Sequence, residues 1–242
     1  MNLSLGKRPF PPRFVVSSQY NNRKEDTEME TKRTELVFIL DRSGSMSGLE
    51  SDTIGGFNGL LEEQRQGDGA VTVTTVLFDH AYTLLHDRLD IRGVRPITRR
   101  EYFARGTTAL LDAMGATMEK IMAVQRSTAP ELRAGKVLFV IITDGLENAS
   151  RRYTYAQIQG MVHRQQEEGW EFLFLGANMD AIAAAGRFGI APGRAANFHA
   201  DSRGARLNYR AVSQAVTQCR AGRPLTAQWK AEIDQDFQTR KR

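Results

Sequence analysis

Two aspartates in this 242-residue chain stand where an apolar run gives way to a polar turn. Asp41 follows Leu36 to Leu40 and opens Asp41-Arg42-Ser43-Gly44-Ser45-Met46-Ser47; Asp144 follows Val137 to Ile142 within Ile142-Thr143-Asp144-Gly145. A third polar loop, Arg105-Gly106-Thr107-Thr108-Ala109-Leu110, introduces an amphipathic stretch. Together they offer short carboxylates and hydroxyls from three loops. These are the oxygen donors that a hard cation such as Mg²⁺ takes in near-octahedral geometry while keeping several of its waters. Each loop alone has a plainer explanation, because Asp, Ser and Thr also satisfy the free amides where a strand turns into a helix. The cation reading therefore depends on all three loops meeting at one place.

The surrounding pattern predicts elements that would bring them together. Four segments read as strands: Leu36–Leu40, Val71–Phe78, Val137–Ile142 and Phe172–Leu175, the second rich in β-branched residues and the others continuous apolar runs as expected of burial on both faces. Tyr82 to His86 reads as a hairpin partner of the second, and Ala196 to His199 as a short edge strand. Helical spacing links Leu49, Ile54, Phe57, Leu60 and Leu61, and then Leu111, Met114, Met118, Ile121 and Met122. A capping box from Thr154 to Gln157 opens another helix, closed by Gly169. Further helices are expected at Ala181 to Phe188, through Leu207, Val212, Val216 and Cys219, and through Trp229, Ile233 and Phe237. This alternation specifies an α/β fold. The expected form is a doubly wound, Rossmann-like, mostly parallel six-stranded sheet with one antiparallel edge strand and helices on both faces. Ligands of such sheets bind beyond the carboxyl ends of the strands, near the point where strand order reverses. Asp41 and Asp144 fall there.

In order and spacing, Asp-x-Ser-x-Ser at the first strand end, the glycine-preceded threonine loop and Thr-Asp-Gly after the central strand resemble the von Willebrand factor A (VWA) domain. The likeness runs from about Thr34 to at least His199, and is to the stand-alone bacterial and phage type. It implies a metal-ion-dependent adhesion site in which Ser43, Ser45 and Thr108 ligate through hydroxyls and Asp41 and Asp144 bind directly or through water. Mg²⁺ is the expected cation, with Mn²⁺ and Ca²⁺ as alternatives. Thr108 takes the family's threonine position because Gly106-Thr107-Thr108-Ala109-Leu110-Leu111-Asp112-Ala113 aligns with Gly-Gly-Thr-Ala-Leu-Tyr-Asp-Ala; Thr107 stands where a second glycine is usual and could contribute instead. The resemblance further implies an open coordination position that a partner's Asp or Glu completes, so the expected activity is protein binding by an adaptor and not turnover. The expected partner is a protein, with an AAA-type ATPase assembly among the candidates.

Around the metal loops, Arg42 and Arg105 could hydrogen-bond an incoming carboxylate. Thr107, Glu147, Asn148, Asn178 and Asp180 complete the expected partner rim, although Asn and Asp at a strand-to-helix turn also serve as caps.

Composition narrows the alternatives. With 41% hydrophobic and 25% charged residues the chain reads as one globular domain, and a lone cysteine, Cys219, rules out a disulfide scaffold. No apolar run approaches the roughly 20 residues of a spanning helix, and the basic start at Lys7 and Arg8 meets Pro9 without an apolar signal region, so a cytoplasmic location and no membrane partner are expected. The net charge of +5 resides at the ends: residues 34–239 hold 23 basic and 24 acidic side chains. Nucleic-acid association through the basic termini is thus a lesser alternative. Residues 1–33 read as a flexible extension, 34–223 as the domain, and 224–242 as a C-terminal helix and basic tail. Among enzymes, a serine hydrolase is disfavoured because Met46 occupies the nucleophile position of Gly44-Ser45-Met46-Ser47-Gly48. The four histidines show no spacing that marks a catalytic base or a metal pair. Mg²⁺-dependent phosphoryl transfer from Asp41 remains as the enzymatic alternative, weakened by Ser43 where a second aspartate would help.

Overall fold

The computed structural model describes residues 33–240. The expectation for residues 1–33 lies, apart from Arg33, outside them. Six strands form one sheet: β1 (Thr34–Asp41), β2 (Val71–Phe78), β3 (Tyr82–Asp90), β4 (Lys136–Thr143), β5 (Glu171–Ala177) and β6 (Ala195–Phe198). Their order is β3-β2-β1-β4-β5-β6, every neighbouring pair parallel except β2 and β3. The sheet is the doubly wound, mostly parallel one that the alternation of apolar runs and helical periods specifies.

Period-two geometry explains why the central strands are apolar throughout. Leu36, Phe38 and Leu40 of β1 and Leu138, Val140 and Ile142 of β4 enter one core layer, while Val37, Ile39, Val137, Phe139 and Ile141 enter the other. The first layer is closed by α1 (Glu50–Arg65), α5 (Ser202–Arg220) and α6 (Ala231–Thr239). The second is closed by α2 (Leu110–Ser127), α3 (Tyr155–Glu167) and α4 (Ala181–Arg187). The capping box of α3 is present in both directions, and Gly169, at φ +82°, takes the left-handed turn that ends the helix.

Three local differences from the sequence reading have physical causes. β3 continues past His86 to Asp90 because, as an edge strand, it tolerates polar residues, and an irregular register near Thr75 absorbs the break in alternation. Leu207 is only half-buried; Ala205, Asn208 and Tyr209 turn inward instead. Finally, the C-terminal segment is part of the first core layer: Trp229 and Ile233 are buried, and Trp229 Nε1 donates to Gly193 O at 2.9 Å. Arg240 is paired with both Asp201 and Asp236. No helix among the described residues is long and apolar enough to cross a membrane.

Candidate metal centre

β1 and β4 lie side by side at the reversal of strand order, so Asp41 and Asp144 leave the sheet as neighbours. The loop after β1 is stitched to the loop before α2: Gly44 N donates to Gly106 O at 3.0 Å and Arg105 N to Arg42 O at 2.8 Å. The loop after β4 is fixed to the start of α2 from both sides. Glu147 accepts from Leu111 N at 2.9 Å, Asn148 Oδ1 from Thr108 N at 2.9 Å, and Ser150 Oγ from Asp112 N at 3.0 Å. In return Asp112 accepts the amides of Arg151, Arg152 and Tyr153. α2 lacks a capping side chain at Ala109, so the Asp144 loop satisfies its free amides across about forty residues of chain.

Within this frame the five expected ligands converge. Asp41 is fully buried; its Oδ1 accepts from Ser43 N and its Oδ2 from Thr143 Oγ1, each at 2.6 Å. Ser43 Oγ and Ser45 Oγ are 3.0 Å apart, and Ser45 Oγ donates to Asp144 Oδ1 at 2.5 Å. A methyl group placed on Gly145 would sit 3.0 Å from Ser45 Oγ, 3.1 Å from Thr108 Oγ1 and 3.8 Å from Ser43 Oγ, so all three hydroxyls face one small space. The other Asp144 oxygen, Oδ2, is buried with no hydrogen-bond partner. Thr108 is buried with its hydroxyl toward this space, whereas Thr107 is exposed.

The electrostatics are those of two buried acids without a cationic side chain beside them. Burial pushes the Asp41 carboxyl up to about 6, against the lowering effect of hydrogen bonds from Thr143 and Ser43, and the charge of Asp144 adds to the rise. Burial likewise raises Asp144, partly offset by the Ser45 hydroxyl. No Lys or Arg among the described residues forms an ion pair with either. A buried carboxylate oxygen without a donor is unfavourable by itself. Asp144 Oδ2 is such an oxygen, and with the buried Asp41 carboxylate and three neutral hydroxyls beside it the donor set fits a divalent cation. Among the described residues no cluster of three His, Cys, Asp or Glu could hold a metal; the donors that converge here are two carboxylates and three hydroxyls.

The rim departs from expectation. Arg42 is buried and turned away from solvent, its Nε 3.0 Å from Asp79 Oδ2, its Nη2 donating to Thr83 Oγ1 and its Nη1 to Glu101 O. It therefore cannot meet a partner carboxylate, because the buried Asp79 holds it. Arg105 also binds Asp79, at 2.7 Å, but remains half-exposed. Glu147 and Asn148 spend their side chains on the amides at the start of α2, as described. Asp180 caps α4 by accepting from Ala183 N at 3.0 Å, and Asn178, exposed at φ +53°, forms the left-handed turn before it. Sequence reasoning missed Asp79 and Thr143. Phe78-Asp79 repeats the apolar-to-Asp step of Leu40-Asp41, which is the signal that was available for the first. Thr143 was visible only as the lead residue of Thr-Asp-Gly.

No protein-family model matches the sequence, and no curated protein matches it. Solved structures do match in shape. The von Willebrand factor domain of a type V pilus tip protein from Porphyromonas gingivalis superposes with a TM-score of 0.53 at 10% identity, over 76% of this chain and 95% of that one. The manganese-loaded TRAP protein of Plasmodium vivax gives 0.51 at 16% identity over 73% and 72%. Proximal thread matrix protein 1 of the mussel byssus, with zinc in its MIDAS motif, gives 0.52 at 13% identity over 76% of this chain; the chain spans 46% of that protein. The fold is thus that of a von Willebrand factor A domain.

Proposed function

We propose that this chain is a metal-dependent protein-binding module, with Mg²⁺ as the resident cation and Mn²⁺ or Ca²⁺ as substitutes. The observation that carries the reading is the unpartnered Asp144 oxygen beside three hydroxyls that share one small space. Ser43, Ser45 and Thr108 would hold the cation with Asp144, while Asp41, both of whose oxygens are engaged, orients Ser43 and adds negative charge from behind. The cation would supply an electrophilic point at the sheet edge for an Asp or Glu of a partner protein. Similar shape to proteins solved with manganese and with zinc in a MIDAS motif supports a divalent ion, at identities that speak only for the fold.

The phosphoryl-transfer alternative is disfavoured by geometry. Asp41, its nucleophile, is fully buried, with each oxygen accepting a hydrogen bond. Nucleic-acid binding finds no support on the body of the domain, where charges balance. The role is that of an adaptor in the cytoplasm, with an AAA-type ATPase assembly among the partners to test. Calorimetric titration with Mg²⁺, Mn²⁺ and Ca²⁺ tests the centre: the wild type binds at one site and Asp144→Ala does not. Absence of binding by the wild type would remove the proposal. A lysate pull-down in Mg²⁺ or EDTA, beside an Asp41→Ala/Asp144→Ala variant, then identifies the partner as whatever only cation-loaded wild type retains.

A further inference from the structure

Six large apolar side chains stand out as exposed among the described residues. Four of them gather at the edge of the sheet that carries the metal loops. Tyr82 lies opposite Phe78 at the end of β2, Phe103 precedes the Thr108 loop, Leu146 follows Asp144 by two residues, and Ile182 lies in the first turn after β5. Two are prominent and sit within the ligand-bearing loops: Phe103 is 41% exposed and Leu146 is 63% exposed. Scattered surface apolar residues need no explanation, but a group around one site marks an interaction surface.

The Phe103 ring is flanked by two guanidiniums. The carbon of Arg105 lies 5.3 Å from the ring centroid and that of Arg42 5.6 Å, within range for cation–π attraction. Both arginines share a single carboxylate, Asp79, so the cluster carries one positive charge in excess, and only Arg105 reaches solvent. The backbone that presents Phe103 and Arg105 is the same one tied to Arg42 and Gly44, and the buried Tyr102 hydroxyl donates to Asp41 O. These side chains are therefore held in a fixed relation to Ser43 and Ser45 before any partner arrives. Such preorganisation reduces the ordering penalty of binding.

We propose that Phe103 and Arg105 form a second anchoring point beside the cation, with Leu146 as a further apolar contact. It selects protein segments in which the metal-completing carboxylate is accompanied by a large apolar side chain and a second acidic group. The inference rests on the proposed cation-mediated docking and specifies its partner. Charge complementarity calls for the second acid: the half-exposed Arg105 stands in the loop stitched to the Ser43 loop and shares its one carboxylate with Arg42, so a segment with a single carboxylate, spent on the cation, leaves the excess arginine charge uncompensated. The apolar side chain covers the exposed part of Phe103 and excludes water from both charge contacts.

The test selects a displayed random-peptide library on the full chain in Mg²⁺. Enriched peptides, synthesised with a fluorophore, are titrated by anisotropy against wild type, Phe103→Ala, Arg105→Gln and Leu146→Ser, and the Mg²⁺ affinity of each protein is measured without peptide. Enriched peptides should pair an Asp or Glu with an apolar residue and a second acid. Their affinity should fall about tenfold in Phe103→Ala and Arg105→Gln and about threefold in Leu146→Ser, with Mg²⁺ affinity unchanged in all three. Leu146 keeps the test open if loss of the Arg105 pairing weakens the fold, because its side chain is largely solvated. Mg²⁺-dependent peptides that bind all three variants as they bind wild type would overturn this inference and leave the docking centre standing. A parallel loss of Mg²⁺ affinity would make these residues supports of the metal and also overturn it. No Mg²⁺-dependent enrichment at all would overturn both.

Discussion

Three strands of one sheet deliver an aspartate at the same edge, β1 as its last residue and β2 and β4 as the residue that follows, yet the carboxylates are held in opposite ways. Asp79 after β2 is gripped by Arg42 and Arg105 and by the amide of Ala81. Burial alone would raise its pKa, but the hydrogen bonds of Arg105 and Ala81 and the charge of Arg42 outweigh that and bring it below the usual range. Asp41 and Asp144 are buried without a cationic side chain, and both are raised. One carboxylate has its countercharge built in; the other two lack one. Burial of an acidic group at a strand end therefore does not define a site, and the missing partner does.

The contrast is sharpened most by exchanging the outcomes of deletion. Asp144→Ala should lower divalent-cation affinity more than 100-fold, equivalent to about 2.8 kcal/mol, while thermal unfolding without metal shows a fold at least as stable as wild type. Asp79→Ala should do the reverse. Removing it strands a buried arginine, so denaturant unfolding should show a loss of about 3 kcal/mol, with far less effect on cation affinity than in Asp144→Ala. Equal effects of both variants on metal binding would break the distinction.

A smaller effect is expected at Gly145. Its Cβ would press against Ser45 Oγ and Thr108 Oγ1, so Gly145→Ala should weaken Mg²⁺ binding about tenfold by calorimetry without disturbing the core. The pH dependence is gentler. Asp41, raised to about 6 in the fold, binds its proton more tightly there than in the unfolded chain. Its contribution to metal-free stability thus rises as pH falls from about 7 toward 4, and cation affinity declines over the same interval. Asp79, lowered in the fold, contributes stability that persists through this interval and fades only below the ordinary carboxylate range. Denaturation in EDTA and in Mg²⁺ should show the two pH trends running in opposite directions between about 7 and 5.

The β1 and β4 strands were legible because their residues are buried on both faces, and the convergence of Asp41, Ser43, Ser45, Thr108 and Asp144 was legible because they belong to three short, local patterns. Asp79 escaped because its meaning lies in partners 26 and 37 residues away. Nothing near Phe78-Asp79 announces an arginine. For the same reason Arg42, Glu147 and Asn148 looked like rim residues: polarity in a loop is legible, whereas the direction of the side chain is set by tertiary contacts. The length of β3 was hidden because an edge strand need not alternate.

The reciprocal bonding between Asp112 and the amides of 151–153, and between residues 147–150 and the start of α2, has a consequence for motion. Residues 146–153 have no regular secondary structure, yet amides at 148–153 donate within the protein. In hydrogen exchange this stretch should open together with the first turn of α2, as one cooperative unit, and not as a loop that samples solvent on its own. Thr108 and Asp144 would then keep their separation through ordinary thermal fluctuation, and a cation would leave by its own dissociation without waiting for a gate.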